Sequence, residues 1–436
     1  MKRIISLILV LAFCISLGSC MPNLKRFAVR FADEGKEISK EELSSEEYLA
    51  FLSKISRFSA HLSSSAYEEL GHGRNFCISP IAVYSALAIA CESSQGETRD
   101  QILTALGLSY EEVERFTEYL QFTANRKFYC ENEGKEVETG HSMLSSSVWL
   151  DSSALYNLSA VKKLTGNYGC DVYAASYLSN EAQNMINQYV EYKTHDTVKS
   201  DLSFPYTADL SIICAYHIEE VWNRFGNELT LTLESHRFTN GDGSVSNVQL
   251  LKSEYEEGVA YRGAKYSSFV ARTEHGFTLH FILPNKGYDI HDVFTQGIIS
   301  QVVSRNDFSA INEKEGTISY TRVLFPAFSA SIGADISGML ANDFGVTDLF
   351  DAEKCDLSGL LSSSAYLDKL TAQGAVKVGA DGIYGTAHSY LPTNSAPGNG
   401  EYTPVYHDFI INGAFGFLLT DEYGTILYSG VVDNVK

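Results

Sequence analysis

The side chains best suited to chemistry are eleven histidines and eight cysteines, and their spacing argues against the common catalytic arrangements. No His-Glu-x-x-His helix, no Gly-x-Ser-x-Gly elbow and no phosphate-cradling glycine loop is present, so metallohydrolase, serine-hydrolase and nucleotide chemistry all lack their local signatures. His217, His275 and His280 fall in strand-like stretches, where a packed or surface histidine is the expected reading. The cysteines lie far apart with no Cys-x-x-Cys pair, which speaks against a zinc knuckle or a disulfide scaffold. Cys77, Cys91 and Cys214 sit inside apolar runs and read as small buried side chains. No enzymatic activity, metal, cofactor or obligatory disulfide is expected.

One cysteine has a different chemistry in prospect. Lys2 and Arg3 precede an apolar run from Ile4 to Leu11, and Leu17-Gly18-Ser19-Cys20 ends it with small residues. Residues 1–19 therefore read as a secretory signal, and the ending resembles the lipobox of bacterial lipoproteins. That resemblance implies acylation of the Cys20 sulfur and a lipid-anchored, extracytoplasmic place in a bacterial cell envelope. A single acyl chain binds only marginally, so stable anchoring needs more than one. An ordinary signal peptide with a cysteine at the cleavage point is the alternative.

Composition bounds what is anchored. With 44% hydrophobic and 20% charged residues over 436 positions, the chain is ordinary globular material. The net charge is −21, and −23 without Lys2 and Arg3 (31 basic against 54 acidic residues). Such a surface repels phosphate backbones, which argues against nucleic acid as a partner.

Residues 20–45 are polar and read as a tether, followed by one domain over 46–436. Phe51, Ile55, Phe58 and Leu62 recur at helical spacing. Asn75 to Pro80 is a short strand stopped by proline, and Ile81 to Cys91 is a helix apolar all round, which belongs in a core. Later segments are strand-rich, with Asn240-Gly241-Asp242-Gly243 as a hairpin signal. The class is α+β, helices early and sheets late.

The order of these segments is specific. Asn75-Phe76-Cys77-Ile78-Ser79-Pro80 with Gly96-Glu97-Thr98, then Ser146-Ser147-Val148-Trp149-Leu150, Ile186-Asn187-Gln188-Tyr189 and Trp222, resemble serpin landmarks in serpin order. Leu324-Phe325-Pro326-Ala327-Phe328, Phe344-Gly345-Val346-Thr347-Asp348, Asp356-Leu357-Ser358-Gly359 and Gly424 to Gly430 continue the series. The resemblance implies helices packed on a large mixed β-sheet, additional smaller sheets and an exposed reactive-centre loop. It assigns Asn75, Ser79, Pro80, Asn187 and Trp222 to the shutter and breach, where that sheet opens. It also implies inhibition of a protease, which cuts the loop, becomes acylated and is trapped as the loop inserts as a new strand.

Insertion makes a demand on the residues themselves, because strand side chains alternate between faces. With Gly382 as hinge, Ile383, Gly385, Ala387, Ser389 and Leu391 form a small or apolar set, while Tyr384, Thr386, His388, Tyr390 and Pro392 form a bulky or polar one. Counting roughly fifteen residues from the hinge lands on Ala396. Pro397 follows it, so Ser395-Ala396 is the better bond. Counting backward from Phe415 lands near Thr403 instead. Small residues at the cut suit an elastase-like or subtilisin-like protease; chymotrypsin-like cleavage at Tyr402 and papain-like targets remain open. A monomer is expected.

Several positions depart from the family's pattern. Ala380 and Tyr384 stand in the hinge run, Pro392 in the insertable strand, Ala82, Ala372 and Cys214 at usual shutter serine, histidine and asparagine positions, Glu219-Glu220 at a usual Lys-Gly, and Gly413-Ala414 at a usual basic residue and proline. These favour the alternative, a non-inhibitory surface binding or structural protein on the same scaffold.

Overall fold

The computed structural model describes residues 25–28, 38–132, 135–177, 179–195, 202, 210–222, 229–255, 260–304, 317–384 and 403–435. The chain enters through β1 (Lys25–Ala28), a helical turn α1 (Lys40–Leu43) and the long helix α2 (Glu46–Leu70). Ser45 caps α2 by accepting from the Tyr48 N–H at 3.2 Å, and the 3.6-residue period buries Phe51, Ile55, Phe58 and Leu62 together. Next come β2 (Phe76–Ile78) and α3 (Pro80–Ser93). Proline opens this helix at no cost in helical hydrogen bonds, and every residue of α3 is buried. α4 (Gly96–Leu106) ends at Gly107 in the left-handed region (φ 66°), and α5 (Tyr110–Thr123) begins with a Ser109/Glu112 capping box.

β3 (Arg126–Asn132), β4 (Lys135–Asp151), α6 (Leu158–Gly166), β5 (Asp171–Ala175), α7 (Asn180–Lys193) and β6 (Leu210–Val221) follow. Strands then dominate: β7 (Thr230–Leu231), β8 (His236–Thr239), β9 (Val245–Val248), β10 (Leu250–Tyr255), β11 (Ala260–Arg262), β12 (Tyr266–Arg272) and β13 (Thr278–Pro284). Short helices α8 (Ile290–Val293) and α9 (Gln296–Ser304) lead to β14 (Thr317–Pro326), β15 (Phe328–Asp335) and α10 (Ser337–Phe344). The chain finishes with β16 (Thr371–Val378), β17 (Gly382–Tyr384), β18 (Thr403–Ile410), β19 (Phe415–Thr420) and β20 (Ile426–Val432).

The described strands form four sheets. The largest has the order β1-β5-β4-β6-β17-β16-β15, with β3 on the other half of β4. It is mixed, because β4 and β5 run parallel while β4 and β6 run antiparallel. A six-stranded sheet (β11-β12-β13-β19-β20-β2), a four-stranded one (β18-β14-β10-β7) and the β8-β9 ribbon complete the set. α3 lies between β6 of the main sheet and β20 of the six-stranded one, inside the principal hydrophobic core. A second, smaller core lies between the main sheet and α7, where Trp149, Tyr173 and Ile213 meet Met185, Ile186 and Tyr189. The expected α+β architecture is the one observed.

One expectation needs correction. The segment expected to be only a tether contributes structure: β1 pairs with the edge strand β5, with Lys25 opposite Ala174, and Ile38 and Leu43 are buried. An uncovered edge leaves unpaired backbone groups, and this polar stretch supplies the covering strand, so packing starts before residue 46. Gly382 and Ile383, read as the start of the hinge, are buried within the main sheet. Residues 1–19 and Cys20 lie outside the described residues.

Candidate functional site

The site is built from the gap between β6 and β16 and the short strand that enters its upper end. β17 pairs antiparallel with both neighbours: Gly382 and Ile383 face Val221 and Glu220, while Ile383 and Tyr384 face Val378 and Lys377. The turn delivering it is closed by the Gly379 N–H donating to the Gly382 carbonyl at 2.9 Å. The Trp222 indole N–H donates to the Gly379 carbonyl at 2.9 Å, and the ring packs edge-on against Phe325. Glycine is required at 382 by close approach, because a Cβ there would collide with the Glu220 carbonyl oxygen. Ile383 points into the core and is fully buried.

The described pairing of β17 spans only Gly382 to Tyr384, whereas β6 is 12 residues long and β16 is 8. Among the described residues no ladder joins those two strands directly. A cavity lies on each face of the gap. The core-side cavity is lined by Ser79, Ala82, Ile212, Cys214 and Ala372; the outer one, beneath α7, is lined by Ile186, Val190, Ile213, Ala215 and Gln373. The three shutter substitutions noted in the sequence, Ala82, Ala372 and Cys214, thus meet in one place and make it less polar. Burial pushes the Cys214 thiol up to about 11, so it stays protonated and chemically quiet at neutral pH.

The sequence-assigned residues divide. Ser79 lines the core-side cavity, its buried Oγ without a hydrogen-bond partner, and Pro80 starts α3 beside it. Trp222 holds the hinge turn through its hydrogen bond to Gly379. Asn75 donates to Ser329 O of β15 in the main sheet at 3.0 Å, and both it and Asn187 also tie neighbouring chain segments. Asn75 ties the chain before β2 to the C-terminal segment, donating to Asn434 O (2.8 Å) and accepting from the Asp433 and Asn434 N–H groups (2.9 Å each). Asn187 donates to Leu202 O at 2.9 Å, fixing the chain beyond α7. Gly385, Thr386, Ala387, Ser395 and Ala396 lie outside the described residues.

One partner at the breach was not legible. Glu220 is 1% exposed, and its carboxylate meets His275 Nδ1 at 2.9 and 3.1 Å. Burial raises this carboxyl above its usual range, and the His275 contact holds part of the rise back. The His275 ring stacks on Phe128 with centroids 4.5 Å apart. The two residues come from distant segments, so no local spacing announces the pair.

Comparison with known proteins agrees with this geometry. A family model described as "Serpin (serine protease inhibitor)" matches residues 53–435. Serpin-ZXA of Oryza sativa subsp. japonica is 23% identical over 410 residues, covering 87% of this chain and 94% of its own length. Corticosteroid-binding globulin of Ovis aries is 24% identical over 347 residues, covering 75% and 73%. Among solved structures, the thermophilic serpin Tengpin in its native state superposes with a TM-score of 0.71 at 18% identity, over 92% of this chain and 96% of Tengpin. Thyroxine-binding globulin in complex with thyroxine gives 0.69 at 15% identity, over 88% and 99%. A chain matched over most of its length, with the hinge entering a gap in its main sheet, belongs to the serpin family.

Proposed function

We propose that this protein is a protease inhibitor of the trapping type, held at a bacterial envelope by lipid on Cys20. The observation that carries the inhibitory reading is the register of β17. Continued residue by residue, that register brings Gly385, Ala387, Ser389 and Leu391 opposite Ile218, Tyr216, Cys214 and Ile212 of β6. The first three of them also come opposite Val376, Gly374 and Ala372 of β16, whose positions face the core. Directly opposed residues share a face, so the small or apolar set enters the core-side cavity and the bulky set faces α7.

The same register puts residue 393 opposite Leu210, the first residue of β6, and residue 390 opposite Thr371, the first residue of β16. A cut between Ser395 and Ala396 therefore frees just enough chain to fill the gap. Pro392 falls past the end of β16, where only β6 flanks it, so its missing N–H interrupts little. In the reaction the protease nucleophile attacks the Ser395 carbonyl, the amine of Ala396 leaves, and the acyl bond to Ser395 remains. Insertion then competes with water for that acyl-enzyme. Small residues at the bond fit elastase-like or subtilisin-like enzymes.

The likeness to corticosteroid-binding and thyroxine-binding globulins supports a second reading, a binding protein on the same scaffold. Incubation of the full-length chain with elastase-like, subtilisin-like, chymotrypsin-like and papain-like proteases separates the two. A band of summed mass surviving boiling detergent is the expected result; cleavage without such a band would leave only the binding reading. The anchor is tested separately by Cys20→Ala, which is expected to move the protein out of the membrane fraction.

A further inference from the structure

Four side chains from three elements converge on the α7-facing side of the main sheet. His141 of β4 stands directly opposite Glu219 of β6, and His217 is the next residue of β6 on the same face. His195 follows Thr194, the residue that caps α7. The three imidazole centroids are 4.6, 4.7 and 5.2 Å apart. Glu219 Oε1 lies 3.5 Å from His217 Nε2 and 3.8 Å from His195 Nδ1, and one donor atom from each of the four residues falls within 4.8 Å of all the others.

Two further observations distinguish this cluster from ordinary packing. His217 is only 3% exposed, yet its Nε2 makes no hydrogen bond, and the buried Nε2 of His141 makes none either. Buried ring nitrogens without partners are unfavourable unless something else takes their lone pairs. In addition, His141 Nδ1 lies 3.3 Å from Glu138 Oε1, the outer carboxylate contact that orients a ligating imidazole and leaves the opposite nitrogen free.

We propose that His141, His195, His217 and Glu219 form a site for a divalent transition-metal ion of the zinc class, joining the end of α7 to the two central strands β4 and β6. Three imidazoles and one carboxylate suit zinc in four-coordination. Donors around such an ion stand roughly 3.3 Å apart, so closing the cluster needs only small rotations of rings already facing one another. His195 closes the site from the solvent side, its side chain 43% exposed. No contiguous motif announces this set: His217 and Glu219 share one strand, and the other two donors arrive through the fold.

The test uses the full-length chain purified without a histidine tag and titrated with Co2+, then with Zn2+. One equivalent of Co2+ with the strong visible absorption of four-coordination, displaced by Zn2+, is expected. His195→Asn, at the exposed position, and His217→Asn should each weaken binding at least about tenfold, and Glu138→Gln by roughly ten- to a hundredfold. His72→Asn, in the separate group Glu68, His72 and His291, should leave binding unchanged. Six-coordinate cobalt spectra, or a titration indifferent to His195→Asn in a folded protein, would overturn the assignment.

Discussion

Two buried ionisable side chains give opposite pH dependences. His280 is buried in β13, its Nε2 3.2 Å from Thr420 Oγ1, and burial, with Arg272 adding a smaller push, depresses it to about 4. The unfolded chain takes a proton near 6.5 that the folded one refuses, so stability is lost as pH falls from about 6.5 towards 4, by roughly 3 kcal/mol. Asp421 sits in the β19–β20 turn, where it accepts from the Tyr423 and Thr425 N–H groups. Burial raises it to about 6. The folded chain then holds a proton that the unfolded one has released, so stability is recovered as pH falls from about 6 towards 4, by a similar amount. The two contributions largely offset in the native protein. Urea unfolding between pH 4 and 7 should show a steep acid loss in Asp421→Asn and an acid gain in His280→Gln; parallel profiles for both variants and the parent would refute these assignments. Neither environment is readable locally, because each depends on which strands close over the residue.

At the scale of the element, the decisive feature is the short strand in a long gap. An aspartate at 387 would have to bring its charge to the core-side cavity, whereas one at 388 would face the α7 side. Burying an unpaired carboxylate costs several kcal/mol, so under the proposed trapping mechanism Ala387→Asp should be cleaved without trapping, lowering the complexed fraction at least about tenfold. His388→Asp should leave most of it. Equal loss of complex in both variants would contradict the register. Helices and strands were largely legible: α3 from its all-round apolar run, α2 from its period, the β8–β9 hairpin from its Asn-Gly turn. The entry of β17 into the sheet was not, since a glycine-led alternating segment reads equally well as an exposed loop. Asn75 shows a further limit, since its hydrogen bonds reach both β15 and the C-terminal segment, two partners no local spacing names.

For the whole molecule, β6 and β16 share no described ladder, and on the proposed mechanism the gap between them is the place for a further strand. Severing the loop should let it fill, and a stabilisation of roughly 5 kcal/mol would move the thermal midpoint by about 6 °C in a domain of this size. Calorimetry of nicked against intact protein measures this; an unchanged midpoint would mean that the cut strand stays out. The order of hydrophobic periods and turn residues along the chain was enough to determine the α+β class and the serpin resemblance, because local patterning decides which faces must be buried. It also determined the alternation on either side of the hinge, a property of strand geometry alone. Only the tertiary structure decided that Gly382 to Tyr384 already lie in the sheet, that Ala82, Ala372 and Cys214 share one cavity, and that three histidines and Glu219 meet beside α7. Those facts depend on which distant segments become neighbours, and pairing across the fold is set by the packing of the whole core rather than by any one stretch of chain.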